Sequence, residues 1–505
     1  MKPYTALKSV LPVLAITGTV PLGAGAQAAQ VNNPYNVLFI ASDDMSSDLN
    51  AFGNPAVRTP NFDRLAEQGV IFNRAYNQAP LSAPSRASIM TGYYPDKTGV
   101  FDLGPTFRET LPDAVTLAQM FKNNGYYTCR IGKIFHQGVP GDIGQPGHDD
   151  PASWTTTYNP VGKDKTDEYM LNAEAPGLGT YLAMDCNDDE LTDAISANLA
   201  ISILRQRTGN TRVSAYGSFG SGRVNPQPFF MALGFYRPHI PYMAPKKYFD
   251  MYPLEEIKLH ENPPDDWDNK PDAAAWTWPP NAGTTEEQQR KAIQAYYACI
   301  TFVDAQIGKL IDALEEFGLL ENTIIVFWSD HGYNLGEHGQ WQKQTLFEKT
   351  SKQPLLISVP GLSKGTATDA IVQMVDIYPT LAEITGFDAP DDLIGHSLVP
   401  LLKDPDAEWD YPAYTIQART LNPRARDGQS KYSFNPNVAS SNPTIYGRSV
   451  RTKRYRYTEW DEGNVGIELY DYETDPDEFV NLASDPGYQD LVRKLSEELH
   501  SLYKN

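Results

Sequence analysis

Cysteine is nearly absent: Cys129, Cys186 and Cys299 are the only three in 505 residues. An odd count permits at most one internal disulfide and leaves a thiol over, and no Cys/His spacing suits zinc. Cys129 and Cys299 lie among apolar neighbours, where a buried inert thiol is the ordinary outcome. Stability must therefore come from a packed core. Basic charge is also scarce. Lys and Arg number 42 against 63 Asp and Glu, a net charge of −21, which argues against nucleic acid, whose binding needs basic surface. An anionic substrate would be repelled at long range and would need a locally basic pocket. Long apolar runs are missing except near the N-terminus. There residues 9–23 are mostly apolar but broken by Pro12, Gly18 and Pro21, too short and interrupted to span a bilayer. Lys2 and Lys8 ahead of the run and Ala26-Gln27-Ala28 behind it form an export signal over residues 1–28. With no Cys beside the cleavage point for a lipid, the expectation is a periplasmic or secreted chain without a membrane anchor. Internal repeats and low-complexity tracts are absent.

What is present reads as α/β. The length suggests one large domain with a smaller one attached, here 33–410 and 411–505. Asn36 to Ala41 is a short continuous apolar run, as in a strand buried on both faces, and it ends in Ser42-Asp43-Asp44. Adjacent acids are commonly a solvated turn, but open α/β sheets place ligand sites at that strand end. Tyr126 to Ile131 reads as a strand leading into Gly132-Lys133-Ile134-Phe135-His136. Residues 137–225 read as loops with one helix near Asp189 to Arg205. Pro228 to Phe235 is another buried strand, followed by Arg237-Pro238-His239-Ile240-Pro241, whose prolines favour extended backbone at His239. Thr284 and Glu287 form a capping box for a long helix with Ile293, Tyr297, Ile300, Val303, Ile307, Leu310 and Leu314 on one face. Thr323 to Ser329 is a β-rich strand ending in Asp330-His331-Gly332, with Lys343 beyond. Pro354 to Val359 is a further strand and Asp376 opens a helix. Strands alternating with helices indicate a three-layer α/β/α domain. After residue 405 the texture changes: 419–445 is irregular, three short strands follow, and Leu491 to Leu502 closes the chain as a helix, an α+β subdomain.

The stretch Leu81-Ser82-Ala83-Pro84-Ser85-Arg86 followed by Thr91-Gly92 joins these parts. Pro84 fixes φ and biases its predecessor, so a helix is expected from about Pro84. Ser82 would then stand ahead of a helix N-terminus, where free N–H groups favour an anion, and Arg86 would offer its planar fork to the same place. Asp43, Asp44 and Asp330 supply the oxygen donors a hard cation needs, with His331 a further ligand. Calcium, magnesium and manganese all suit such oxygens.

Ser-x-Pro-Ser-Arg with Thr-Gly resembles the signature of the type I sulfatases, in which the first residue, Cys or Ser, is oxidised to formylglycine. Ser42-Asp43-Asp44, Gly132-Lys133-x-Phe135-His136, Arg237 to Pro241, Ser329 to Gly332, Leu335 to Gly339 with Trp341-x-Lys343, and Gly447-x-Ser449-x-Arg451-Thr452 match in the same order. The chain is most similar to the iduronate-2-sulfatase branch. The resemblance implies a formylglycine from Ser82 and one calcium ion per chain held by Asp43, Asp44, Ser82, Asp330 and His331. It implies that Arg86, Lys133 and Lys343 neutralise sulfate, that His239 or Lys343 protonates the leaving alcohol, and that His136 accepts a proton when sulfate is expelled. The substrate implied is a sulfated saccharide. Ser82 stands where most of that branch carries Cys. The serine form implies an anaerobic-type sulfatase maturation enzyme and a bacterial source, or else a replacement that traps substrate. A phosphomonoester or phosphonate hydrolase using unmodified Ser82 and a non-catalytic sulfoglycan-binding protein are the competing readings.

Overall fold

The computed structural model describes residues 34–171, 177–208, 227–420 and 444–504. The export signal at 1–28 and most of the 419–445 segment lie outside them. Strand β1 (Asn36–Asp43) is buried along its whole length because it carries apolar groups to both sides. Leu38 and Ile40 enter one core, Val37, Phe39 and Ala41 the other. The remaining strands of its sheet are β2 (Val70–Tyr76), β3 (Tyr127–Gly132), β4 (Thr156–Tyr158), β5 (Phe229–Pro238), β6 (Thr323–Ser329), β7 (Lys352–Gln353), β8 (Leu355–Ser358) and β9 (Thr366–Gln373). They run β7-β2-β8-β6-β1-β5-β3-β4, with β9 pairing beside β2. Its centre, β6-β1-β5-β3, is parallel, so the C-terminal ends of these strands collect on one edge. That edge carries the site.

Helices cover both faces. Helix α1 (Pro60–Ala66) precedes α2 (Ser82–Thr91) and α3 (Leu117–Asn123), and α4 (Thr192–Arg207), α5 (Glu286–Glu316) and α6 (Ile377–Thr385) follow. The apolar sides of α1, α4 and α5 pack into the core that holds Leu38, those of α2, α3 and α6 into the core that holds Phe39. The expected three-layer α/β/α order is the observed one.

A second sheet follows, antiparallel, in the order β10 (Ala413–Thr420), β11 (Thr444–Arg451), β12 (Tyr455–Trp460) and β13 (Gly466–Asp471). The closing helix α7 (Gln489–Tyr503) lays Leu495 and Leu499 against it. This is the expected α+β subdomain with one strand more than the sequence pattern discloses.

Three local expectations are corrected. Helix α2 begins at Ser82, not Pro84: in the first turn no N–H needs an intrahelical partner, so proline is tolerated there. The capping box of α5 is Thr285 with Gln288, while the Thr284 hydroxyl donates to the Asn281 carbonyl at 2.6 Å. Both pairs have the same spacing, so spacing could not choose between them. His239 lies in a bend rather than extended backbone, between cis Arg237–Pro238 and Ile240–Pro241 bonds.

Candidate active site

Strand β1 delivers Asp43, and Asp44 follows with φ 62°, a left-handed turn that lets successive carboxylates face one site. The turn is held from two directions. The Met45 amide donates to Ser329 Oγ at 2.9 Å, and the Tyr296 hydroxyl donates to the Asp44 carbonyl at 2.7 Å. Strand β6, next to β1, delivers Asp330 and His331. His331 Nδ1 is 2.9 Å from the Gly332 carbonyl, so Nε2 faces inward, 3.3 Å from Asp44 Oδ1 and 3.6 Å from Asp330 Oδ2.

All ten residues of α2 are buried. Ser82, its first residue, points Oγ between Asp43 Oδ1 at 3.4 Å and His331 Nε2 at 3.3 Å. Arg86, one turn on, lies on the same helix face and ties the acids together. Its Nε donates to Asp330 at 2.9 Å, Nη2 to Asp43 at 2.9 Å, and Nη1 to the Lys133 and Ile134 carbonyls. The expected free fork for an oxyanion is thus engaged by protein groups at all three nitrogens.

Lys133 follows β3 through Gly132, whose φ is 69° and where a Cβ would fall 2.2 Å from the Gly234 carbonyl. Its Nζ lies 2.5 Å from Asp43 Oδ2, and Lys343 Nζ lies 2.7 and 2.9 Å from the Asp44 oxygens. His239 directs Nδ1 to the Ile240 carbonyl at 2.5 Å and Nε2 toward Asp44 at 3.6 Å. His136 places its ring 5.5 Å from that of His148, with Nδ1 buried and without a hydrogen-bond partner among the described residues.

Three buried acids thus meet Arg86, Lys133 and Lys343. Burial raises the Asp43 carboxyl, but Lys133, Arg86 and Lys343 overcome this and hold it well below the usual range. At Asp44 burial outweighs Lys343 and His331, so the carboxyl is raised. At Asp330 the attraction of Arg86 and His331 wins over burial. Burial, then the neighbouring lysines, depresses His136 to about 2 and His239 well below an ordinary imidazole.

Donor atoms of Asp44, Asp330 and His331 lie within 4.8 Å of one another, as do those of Asp43, Asp44 and His239. Asp44, raised despite Lys343 and His331, is the carboxylate that the protein's own cations leave under-compensated. Convergent, buried, hard oxygen donors fit a divalent cation. The sequence-read residues Asp43, Asp44, Ser82, Arg86, Asp330, His331, Lys133 and Lys343 form one network, with His239 at its edge and His136 linked through the Lys133 strand end. Sequence reasoning missed Ser329 and Tyr296, which hold the Asp44 turn. It assigned Tyr297 to the helix's inner face, yet Tyr296 is fully buried and Tyr297 only half-buried.

Residues 35–387 match the sulfatase family model, and 429–505 match the C-terminal model of N-sulphoglucosamine sulphohydrolase. The chain belongs to the sulfatase family. It is therefore a sulfuric ester hydrolase. A sulfatase of Formosa agariphila is 33% identical over 92% of this chain and 86% of its own length. Human iduronate 2-sulfatase is 30% identical over 96% of this chain and 94% of its own. In fold the sulfatase also resembles a phosphonate monoester hydrolase of Agrobacterium radiobacter, with a TM-score of 0.70 at 22% identity, covering 93% of this chain and 95% of that one. Among the described residues no helix is long and apolar enough to cross a membrane.

Proposed function

We propose that this sulfatase hydrolyses sulfate esters on a sulfated oligo- or polysaccharide, working from a formylglycine made by oxidation of Ser82. The observation that carries the proposal is Ser82 Oγ at the start of a buried helix, facing Asp43 and His331, with the Lys133 and Lys343 ammoniums on the flanking acids. The human relative is named for iduronate 2-sulfate, and another Formosa agariphila relative is named an ulvan-active sulfatase. Both names point to sulfated saccharides.

Oxidised and hydrated, residue 82 would carry two hydroxyls, one to attack sulfur and one whose deprotonation lets sulfate leave. Asp43, Asp44, Asp330, His331 and residue 82 would hold calcium, which when bound would neutralise sulfate oxygens and draw charge from sulfur. Lys133 and Lys343 would orient the sulfate and offset its charge. Arg86, tied to Asp43 and Asp330, would keep those carboxylates in place beside residue 82. Lys343 would protonate the leaving alcohol, or His239 would, once the negative charge of bound sulfate raises its depressed imidazole enough to carry a proton. His136, with its free Nδ1, would take the proton lost from residue 82. A cleaved export signal at 1–28, a catalytic domain over 33–410 with a subdomain over 411–505, oxygen-independent maturation of Ser82 and a periplasmic or secreted location complete the proposal.

The test is peptide mass spectrometry of the protein from its own host together with sulfate release from a panel of sulfated sugars. The Ser82 peptide should be about two mass units lighter than encoded. An unmodified Ser82 with no sulfate release would overturn the proposal.

A further inference from the structure

Most of the fully buried arginines here meet a carboxylate. Arg86 meets Asp43 and Asp330, Arg130 meets Asp149, Arg237 meets Asp164, and Arg456 meets Glu348 and Glu478. Arg419, near the end of β10 and 0% exposed, is the exception. Its Nε donates to the Ala273 carbonyl at 3.3 Å and Nη2 to the Gln344 carbonyl, while the buried Nη1 has no acceptor among the described residues. The guanidinium lies over the rings of Trp276 and Trp460, 5.4 and 5.5 Å from their centroids. Burial without a facing acid pushes its pKa down to about 9. Two indoles offset part of the cost of burying the cation. They leave an unused charged N–H in a dry place, which folded proteins rarely tolerate without a purpose.

Its surroundings connect it to the catalytic centre. Gln344, which accepts from Nη2, follows Lys343 directly, and its amide donates to the Pro80 carbonyl at 3.1 Å, two residues before Ser82. Strand β10 is bonded to the same approach segment: the Ile416 amide donates to the Gln78 carbonyl at 2.9 Å, and the Thr415 hydroxyl to the Asn77 carbonyl at 2.6 Å. Gln342 and Gln344 have φ of 64° and 74°, so Lys343 sits between two left-handed residues, a strained turn of the kind found at ligand sites. Of the two indoles, Trp460 is fully buried and Trp276 half-buried, so the Trp276 side of the guanidinium is the one nearer solvent.

We infer that Arg419 is a specificity-determining residue whose free Nη1 edge takes a second anionic group of the substrate, a ring carboxylate or a further sulfate, while the scissile sulfate sits at Ser82. The inference rests on the sulfated-carbohydrate reading. A planar fork suits either oxyanion. The chain carries a net charge of −21, so selection of a polyanion has to come from buried cations such as this one rather than from the surface.

The test compares the full-length matured enzyme with Arg419→Gln and Arg419→Lys on three esters: a neutral aryl sulfate, a monosulfated uronate, and a disulfated hexose without a carboxylate. For Arg419→Gln, kcat/KM should fall about 10- to 100-fold, mainly through KM, on the esters that bear a second anion. It should stay within about twofold on the aryl sulfate, and Arg419→Lys should recover part of the loss. A fall on the uronate alone identifies the carboxylate as the ligand, and a fall on the disulfated hexose alone identifies the sulfate. Equal falls on all three esters overturn the inference, and so does no fall on any. If Arg419→Gln does not fold, a wild type that shows no preference for the dianionic esters over the aryl sulfate overturns it instead. If the wild type turns over neither sugar ester, the sulfated-carbohydrate reading itself has failed. Titration calorimetry of the two dianionic sugars into wild type and Arg419→Lys then decides the inference separately, equal affinities overturning it.

Discussion

Lys133 Nζ lies 2.5 Å from Asp43 Oδ2, and neither side chain is exposed. A buried pair of this kind returns little net stability over two well-packed apolar groups, but removing one partner leaves the other charge uncompensated. Lys133→Ala leaves Asp43 in contact with Arg86 and otherwise only within the more distant field of Lys343. Stability should fall by about 3 kcal/mol, and kcat on a sulfated sugar by about 10²- to 10³-fold, the scale of losing one charge-stabilising donor. Urea unfolding and sulfate release check the two parts. A full loss of stability with unchanged kcat would place Lys133 outside the chemistry.

Metal removal should act on both stability and rate. Asp44 and Asp330 offer converging oxygens with His331, and a ligand that binds only the folded state stabilises by about 2.7 kcal/mol at a hundredfold excess over Kd. Chelation should lower the Tm and abolish sulfate release, and added calcium should restore both. Asp330→Asn should remove the calcium-dependent part of the Tm. A Tm indifferent to chelator and calcium in the wild type would show that the acids are balanced by Lys133, Arg86 and Lys343 alone.

How much of this was legible beforehand depended on the kind of signal. The buried strands β1 and β6 carry continuous apolar runs that end in acids, so both the strands and the site edge could be read directly. Strand β9 has half-exposed and exposed positions and pairs only beside β2, so its pattern is no stronger than that of a loop. Strand β10, Ala413–Thr420, mixes Thr, Gln and Arg with its apolar residues. Its polar side chains are buried by contacts to distant segments, Asn77 lying 338 residues from Thr415 and Gln344 75 residues from Arg419, which no local window contains. The same holds for Arg86. The motif disclosed its presence, but only the fold discloses that its donors go to Asp43, Asp330 and two carbonyls.

Glu348 joins the two sheets. It accepts from Arg456 at 2.6 Å, from Arg451 at 3.3 Å, and from the Tyr76 hydroxyl at 2.8 Å. Burial alone would raise its carboxyl, but Arg451, Lys352 and Arg456 hold it below the ordinary value of 4.5. A carboxyl depressed in the fold stabilises fully above its unfolded value and loses that contribution as pH falls toward the folded value. Glu348→Gln should therefore cost about 3 kcal/mol at neutral pH and progressively less below pH 4.5. Urea midpoints of both proteins across that range check it; a cost independent of pH would mean that shape, not charge, holds the junction.

Asp304 behaves in the opposite sense. It projects from α5 and caps α1 from outside: Oδ1 accepts the Phe62 amide at 2.8 Å and the Asn61 amide at 3.0 Å, and Oδ2 accepts the Asn61 side-chain amide at 2.8 Å. Thr59, the residue ahead of that helix, makes no capping bond of its own. Burial outweighs these donors and raises the Asp304 carboxyl from 3.8 to about 6. The unfolded chain therefore loses this proton first as pH rises, and stability declines between pH 3.8 and about 6, by about 3 kcal/mol in total. Asp304→Asn stays neutral throughout. One of its amide N–H groups would face the Asn61 side-chain donor, a lost hydrogen bond worth about 1 kcal/mol. The variant should be less stable than wild type near pH 4 and more stable near pH 7, with the two curves crossing between. Curves that stay parallel, the variant lower throughout, would show that the three donors keep the carboxylate charged and that capping outweighs burial.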